Sequence, residues 1–246
     1  MKTVGLIGGI GPESTIEYYR FIIDGYRSRL SGTGISPVDN QAQDAAATGY
    51  PSIIINSIDL TRLIAWMEAN ELDQAANYIA YEIERLASAG ADFGVLASNT
   101  PHIVFDRLRA RSRIPLISIV DATCNHAQTL ALKRVALFGT RFTMRARFYA
   151  EVFVRNGIDL VVPDKAEQDF IHEKYMNELL KNIFLSETRE ALLAIVDRMK
   201  ADEAIDGLIL GGTELPLILR RAEHHGVTFL DTTRIHADRI VEELLS

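Results

Sequence analysis

Two stretches of this chain end in side chains that could handle a small polar ligand. One reads Gly94-Val95-Leu96-Ala97-Ser98-Asn99-Thr100, the other Gly207-Leu208-Ile209-Leu210-Gly211-Gly212-Thr213. Each is a short apolar run, long enough for a buried strand, that breaks into small and hydroxyl-bearing residues. Asn56-Ser57 and Thr140 with Thr143 close two further apolar runs in the same way, and Glu214 adds a carboxylate after Thr213. Four strand ends of this kind predict donors and acceptors converging on one small ligand. Helix capping is the structural alternative for each, because Ser, Thr and Asn are favoured N-caps.

His102 follows Ser98 by four residues, across Pro101. A Ser/His nucleophile pair is conceivable, but no Gly-x-Ser-x-Gly elbow surrounds Ser98. The loop Gly8-Gly9-Ile10-Gly11-Pro12-Glu13 starts a dinucleotide fingerprint and then departs from it. Ser14 stands where the third glycine belongs, and the second strand ends in Asn56-Ser57 rather than an acid. Backbone N–H groups at Gly9 and Gly11 still suit a small anion such as a carboxylate. His172 and His236 fall on predicted helices with no second ligand at metal spacing, and His224-His225 read as surface. No metal site and no cofactor are predicted. The lone Cys124 can form no internal disulfide and is expected to behave as a small apolar residue away from the chemistry.

The elements that must position these groups alternate. Strands are predicted at Val4–Ile7, Ser52–Ile55, Phe93–Ala97, Leu116–Ile119, Arg134–Phe138, Asp159–Val162, Leu208–Leu210 and Thr228–Leu230. Helices are predicted over Glu13–Leu30, Leu60–Ala69, Leu72–Ala89, from Cys124 to Leu130, and over Gln168–Leu180, Glu187–Met199 and Ile235–Leu245. Strand–helix alternation implies parallel sheet flanked by helices. The similar cassettes suggest two similar halves with a site between them, since ligands of open α/β sheets lie at the carboxyl ends of strands. The chain should cross between halves near Asn99–Asp106 and Gly211–Leu215. The polar segment Ser31–Gly49 reads as a loop or lid over the site, or equally as a solvated insertion.

Composition bounds the class. The 246 residues are 48% hydrophobic and 24% charged, which predicts a packed core. A formal net charge of −7 argues against a general nucleic-acid binder. No apolar run approaches the ~18 residues of a membrane span, and the N-terminal residues do not read as a signal peptide. A soluble cytoplasmic protein, without nucleic-acid or membrane partners, is expected.

The chain resembles the aspartate/glutamate racemases, cofactor-independent enzymes acting on amino acids. The resemblance rests on Lys2-Thr3-Val4-Gly5-Leu6-Ile7-Gly8-Gly9 with Glu13-Ser14-Thr15, and on Asn99-Thr100-Pro101-His102. It continues through Arg134–Thr140, Gly212-Thr213-Glu214 and Asp231-Thr232 with Ile235-His236-Ala237. It implies an α/β fold of two pseudo-symmetric lobes, each a mainly parallel sheet flanked by helices. The expected bounds are 1–105 plus 213–246 for lobe 1 and 106–212 for lobe 2. It further implies a site in the cleft between them and a homodimer.

The resemblance also implies chemistry. Family members commonly use two cysteines, one removing the α-proton as thiolate and the other returning a proton to the opposite face. The first precedes the Asn-Thr pair and is Ser98 here. The second precedes Thr-Glu and is Gly212 here. Both thiols are therefore replaced, and Glu214 and His102 become the nearest acid–base candidates. Glu214 is equally able to cap the following helix, and His102 to satisfy backbone groups. Gly9, Gly11, Asn56, Asn99, Thr100, Thr140, Thr143 and Thr213 are the expected substrate-binding set. A substrate-binding lysine of other members falls near Gln168–His172, where this chain has Asp169, with Lys165 and Lys174 displaced. The expected function is a racemase-family enzyme acting on aspartate, glutamate or a related carboxylate with altered proton-transfer groups. A decarboxylase or lyase of the superfamily and a non-catalytic carboxylate binder remain the alternatives.

Overall fold

The computed structural model describes residues 1–32 and 49–246. Most of the expected loop over 31–49 therefore lies outside the described residues, although Ser31 and Gly32 close a helix. The chain forms two compact units. The first comprises 1–97, 107–117 and 236–246, and the second comprises 98–106 and 118–235.

The first unit carries β1 (Thr3–Gly8), α1 (Pro12–Gly32), β2 (Ser52–Ser57), α2 (Leu60–Glu68), α3 (Leu72–Ser88) and β3 (Phe93–Leu96). Most of α4 (Phe105–Arg111) and all of β4 (Leu116–Ile117) follow in it. Its sheet has the order β2-β1-β3-β4, all parallel. Val4, Leu6, Phe93 and Val95 pack on Tyr18, Ile22 and Tyr26 of α1 and on Ala237, Ile240, Val241 and Leu244. His236 is fully buried in this unit. Its Nδ1 accepts from the Tyr18 hydroxyl at 2.7 Å, and its Nε2–H donates to the Ile117 carbonyl at 3.2 Å. Burial lowers its pKa to about 3, so the ring is neutral.

The second unit carries α5 (Ile119–Thr129), β5 (Arg134–Gly139), α6 (Arg141–Arg145), α7 (Phe148–Arg155), β6 (Asp159–Val161) and α8 (Lys165–Asn177). It continues with α9 (Ser186–Glu203), β7 (Gly207–Gly211), α10 (Leu215–Ile218), β8 (Glu223–His224) and β9 (Val227–Asp231). The closing helix α11 (Thr232–Leu245) starts here and runs into the first unit. The sheet order is β6-β5-β7-β9-β8, parallel except for β8. One core layer, with Ile171, Tyr175, Leu192, Val196 and Met199, covers one part of this sheet. Another, with Ile119, Cys124, Tyr149 and Phe153, packs on Val135, Leu137 and Ile209.

Both sheets repeat one wiring. Numbered along its own four parallel strands, each has the order 2-1-3-4. The strands of the two cassettes, β3 and β7, take the same place in it, which supports reading the cassettes as a repeat.

Several expectations are corrected. Residues 213–235 belong to the second unit because β9 pairs with β7, and 107–117 to the first because β4 pairs with β3. The units thus divide differently from the expected 1–105 plus 213–246 and 106–212. The fourth strand stops at Ile117, because the Ser118 hydroxyl caps α5 by accepting from the N–H groups of Val120 and Asp121 at 3.1 and 3.2 Å. Helix α5 therefore starts at Ile119, and Cys124 sits in its middle. His224, expected at the surface, is only 9% exposed.

Candidate functional site

The Ser98–Asp106 loop leaves the first sheet and folds into the second unit. Ser98 and Gly212, expected on different lobes, both belong to this unit. Asn99 anchors the loop and is 2% exposed. Its Oδ1 accepts from the Tyr149 hydroxyl at 2.6 Å, and its Nδ2 donates to Thr232 Oγ1 at 3.1 Å. Thr232 passes the chain on to the Leu210 carbonyl of β7 at 2.9 Å. A buried amide satisfied at both ends specifies one loop position, and loss of either partner leaves a polar atom stranded at about 1–3 kcal/mol.

His102 makes the second anchor. Its Nδ1–H donates to the Ser98 carbonyl at 2.9 Å, and its Nε2 accepts from Ile119 N–H at 3.2 Å. The ring stacks on Phe105 at 4.8 Å between centroids. Its contact with Ser98 is to the carbonyl, so the Ser/His nucleophile arrangement is not formed. Ser98 is half-buried, and its hydroxyl has no hydrogen-bond partner among the described residues.

Thr100, Thr140 and Thr143 come together. Their hydroxyls form a triangle with sides of 3.5, 3.3 and 3.2 Å. Thr140 also caps α6, accepting from Thr143 N–H at 3.3 Å, so capping and convergence coincide at this residue. Thr140 follows β5 and Gly212 follows β7. These neighbouring strands lie at the point where the order of the second sheet reverses, where open α/β sheets hold ligands.

Gly212 is buried, and the reason it has no side chain is visible. A Cβ built on it would stand 2.5 Å from Tyr175 Cε2, 2.7 Å from its hydroxyl and 2.9 Å from Cζ. Tyr175, on α8, donates its hydroxyl to Glu214 Oε2. Thr213 Oγ1 donates to the same oxygen at 2.8 Å. Glu214 is 3% exposed and makes no side-chain cap to α10. Burial and the neighbouring carboxylate hold the Tyr175 phenol well above its usual pKa, so it remains protonated. Sequence reasoning missed Tyr175. Its position on α8, 37 residues before Gly212, carries no local signal.

Other expected ligand groups are engaged internally. Gly9 N–H donates to Thr15 Oγ1 at 2.9 Å, and Gly9 has φ +81°, where a Cβ would stand 2.6 Å from the Ile58 carbonyl oxygen. Gly11 also has positive φ, and its carbonyl accepts from Thr15 N–H at 3.4 Å. The Asn56 amide donates to Glu82 Oε2 at 2.7 Å. Asp169 takes Arg141 and Arg145 at 3.2 and 3.1 Å, Lys174 pairs with Glu178 at 2.5 Å, and Lys165 is exposed at the start of α8. Cys124 is 1% exposed, and burial pushes its thiol up to about 11. No described helix is long and apolar enough to cross a membrane.

Comparison with known proteins agrees with this architecture. A family model described as Asp/Glu/Hydantoin racemase matches residues 7–240. The chain is similar in structure to a candidate Asp/Glu racemase from Yersinia pestis, at TM-score 0.86 and 29% identity, covering 100% of both chains. It is similar to an aspartate racemase homologue from Pyrococcus horikoshii, at TM-score 0.77 and 29% identity, again covering 100% of both. In sequence it is 27% identical over 165 residues to the broad specificity amino-acid racemase RacX of Bacillus subtilis, covering 67% of this chain and 66% of that one. With its two α/β units and mainly parallel sheets, the chain belongs to the Asp/Glu/hydantoin racemase family.

Proposed function

We propose that this protein is an enzyme acting at the α-carbon of a small acidic amino acid or related carboxylate, without a cofactor. Its proton transfers run through Glu214 and Tyr175 in place of thiols at positions 98 and 212. The observation that carries this is the hydrogen-bonded set Tyr175–Glu214–Thr213 beside Gly212, with Tyr175 and Glu214 buried and Thr213 half-buried. Tyr175, held protonated, donates to the Glu214 carboxyl oxygen. Thr100 and Thr140, both half-buried, supply hydroxyls suited to a substrate carboxylate, with the buried Thr143 hydroxyl orienting them. We assign His102 and Asn99 a positioning role, because both ring nitrogens of the one and both amide ends of the other hold the loop.

Two-base racemisation needs a competent group on each face of the α-carbon. One such set is built here, and the Ser98 hydroxyl has no described group to activate it. That favours a reaction needing a single proton-transfer site, either one-sided α-proton exchange or decarboxylation, over fast racemisation. The test is α-deuterium loss and carbon dioxide release from labelled aspartate and glutamate, with Glu214→Gln as control. Exchange or release that falls about a hundredfold in the variant supports the proposal. Thermal stabilisation by these ligands with no turnover would make the protein a binder instead.

A further inference from the structure

The turn between β8 and β9 places three ligand-type side chains together. Neighbouring side chains of a strand point to opposite faces. At His225 the backbone turns left-handed, with φ +49°, and Gly226 follows at φ +78°. This breaks the alternation and brings the His224 and His225 rings to 4.0 Å between centroids. Asp197 of α9 meets both, its Oδ1 standing 2.8 Å from His225 Nδ1 and 3.0 Å from His224 Nε2. His224 is nine-tenths buried, and its Nε2 has no hydrogen-bond partner despite that short approach. A buried ring nitrogen close to a carboxylate but not aligned to donate to it is a ligand atom without its usual occupation.

We infer that Asp197, His224 and His225 form a binding site for a divalent transition-metal ion of the zinc class. Two imidazoles and one carboxylate suit Zn²⁺ or Co²⁺, with water completing the coordination. The ligand atoms all lie within 4.8 Å of one another. Metal–ligand bonds of roughly 2.0–2.2 Å place ligand atoms about 3.4 Å apart in a tetrahedral site. Opening the two contacts to Asp197 by about half an ångström brings them to that spacing. Lys200, the nearby cation, hydrogen-bonds the His225 carbonyl through Nζ and leaves the ring nitrogens to the ion. The role is structural. The ion would tie the short edge strand β8 and its turn to α9, and this inference stands independently of the reaction proposed above.

The test is titration of the tag-free, chelator-treated full chain with zinc chloride and, separately, cobalt chloride. The expected result is saturation at one equivalent, four-coordinate visible bands for Co²⁺, and a higher Tm in zinc. His225→Asn keeps a residue tolerant of left-handed backbone and removes a ligand. Asp197→Asn keeps the shape and removes the charge. Each should weaken binding at least about tenfold with unchanged far-ultraviolet circular dichroism. Imidazole ¹⁵N spectra of the unaltered protein give a readout free of folding effects, with His224 Nε2 and His225 Nδ1 shifting on zinc addition. No saturable binding, unmoved imidazole signals, or variants binding as well as the parent would each overturn the site.

Discussion

The ring of Tyr175 stands in the space that a side chain at position 212 would have to enter. The nearest approach, 2.5 Å from an ideal Cβ, is shorter than real Cβ contacts allow. Tyr175 is 5% exposed and hydrogen-bonded to Glu214, so it has little room to withdraw. Glycine at 212 and tyrosine at 175 are thus one solution, and neither is explained alone.

Gly212→Cys should therefore destabilise the protein by about 1–3 kcal/mol, the usual cost of overpacking. Tyr175→Ala opens the space, so the double variant should be more stable than the sum of the single effects predicts, by about 1 kcal/mol or more. Urea unfolding of the four proteins measures this coupling. Additive effects would mean the ring moves freely. It also follows that cysteines introduced at 98 and 212 will not by themselves create a two-thiol site.

Tyr175→Phe keeps the ring and removes the donor to Glu214. The buried carboxylate then loses a hydrogen bond, for a stability loss of about 1–3 kcal/mol. Any turnover should fall with it, whereas Phe at 175 still excludes a side chain at 212. Chemical denaturation and the deuterium-exchange rate read the two effects separately, and an unchanged rate would remove Tyr175 from the chemistry.

Stability should rise with pH between about 3 and 6.5 through His236. Its folded pKa is lowered to about 3 from 6.5, so in that window the unfolded chain binds the proton and the folded chain does not. The contribution is complete above pH 6.5 and is lost as pH falls, at up to about 1.4 kcal/mol per pH unit. His172, lowered in the same direction by burial and Arg141, adds to the slope. His236→Gln should be less stable at pH 7 and show a flatter profile from pH 6.5 to 4.5, above the range where most carboxylates titrate. Equal slopes in the two proteins would contradict the assignment.

Cys124→Ala should leave turnover within a fewfold of the parent and cost about 1 kcal/mol of stability from lost packing. In the folded protein the thiol should react slowly with disulfide reagents, because burial raises its pKa and shields it. A large loss of turnover in this variant would move the chemistry to α5.

Long elements were legible in the sequence, because period and length identify them. Helices α1, α3 and α9 and strands β1, β5 and β7 fall where apolar periodicity and turn residues put them. The short helices at Phe105–Arg111 and Phe148–Arg155 were not read, since a stretch of seven or eight residues shows little periodicity. Strand β8 has two residues and exists through pairing with β9. At the site, the hydroxyl and amide strand ends were recognised as special. Which of them face inward to hold the chain was not readable, because Asn99 and His102 are committed by Tyr149, Thr232 and Ile119, far off in sequence. Tyr175 was invisible for the same reason.

The path of the chain through its two units sets an order of assembly. It leaves the first unit after Ala97, returns for residues 107–117, and leaves again until His236, before the core of that unit is covered. A nascent chain that has emerged through Ile235 holds every residue of the second unit. At that moment the apolar faces of Tyr18, Ile22 and Val95 still lack Ala237, Ile240, Val241 and Leu244. The earlier-made unit must thus wait, with part of its oily surface bare, for residues 236–246, and it is there that a chaperone would find something to hold.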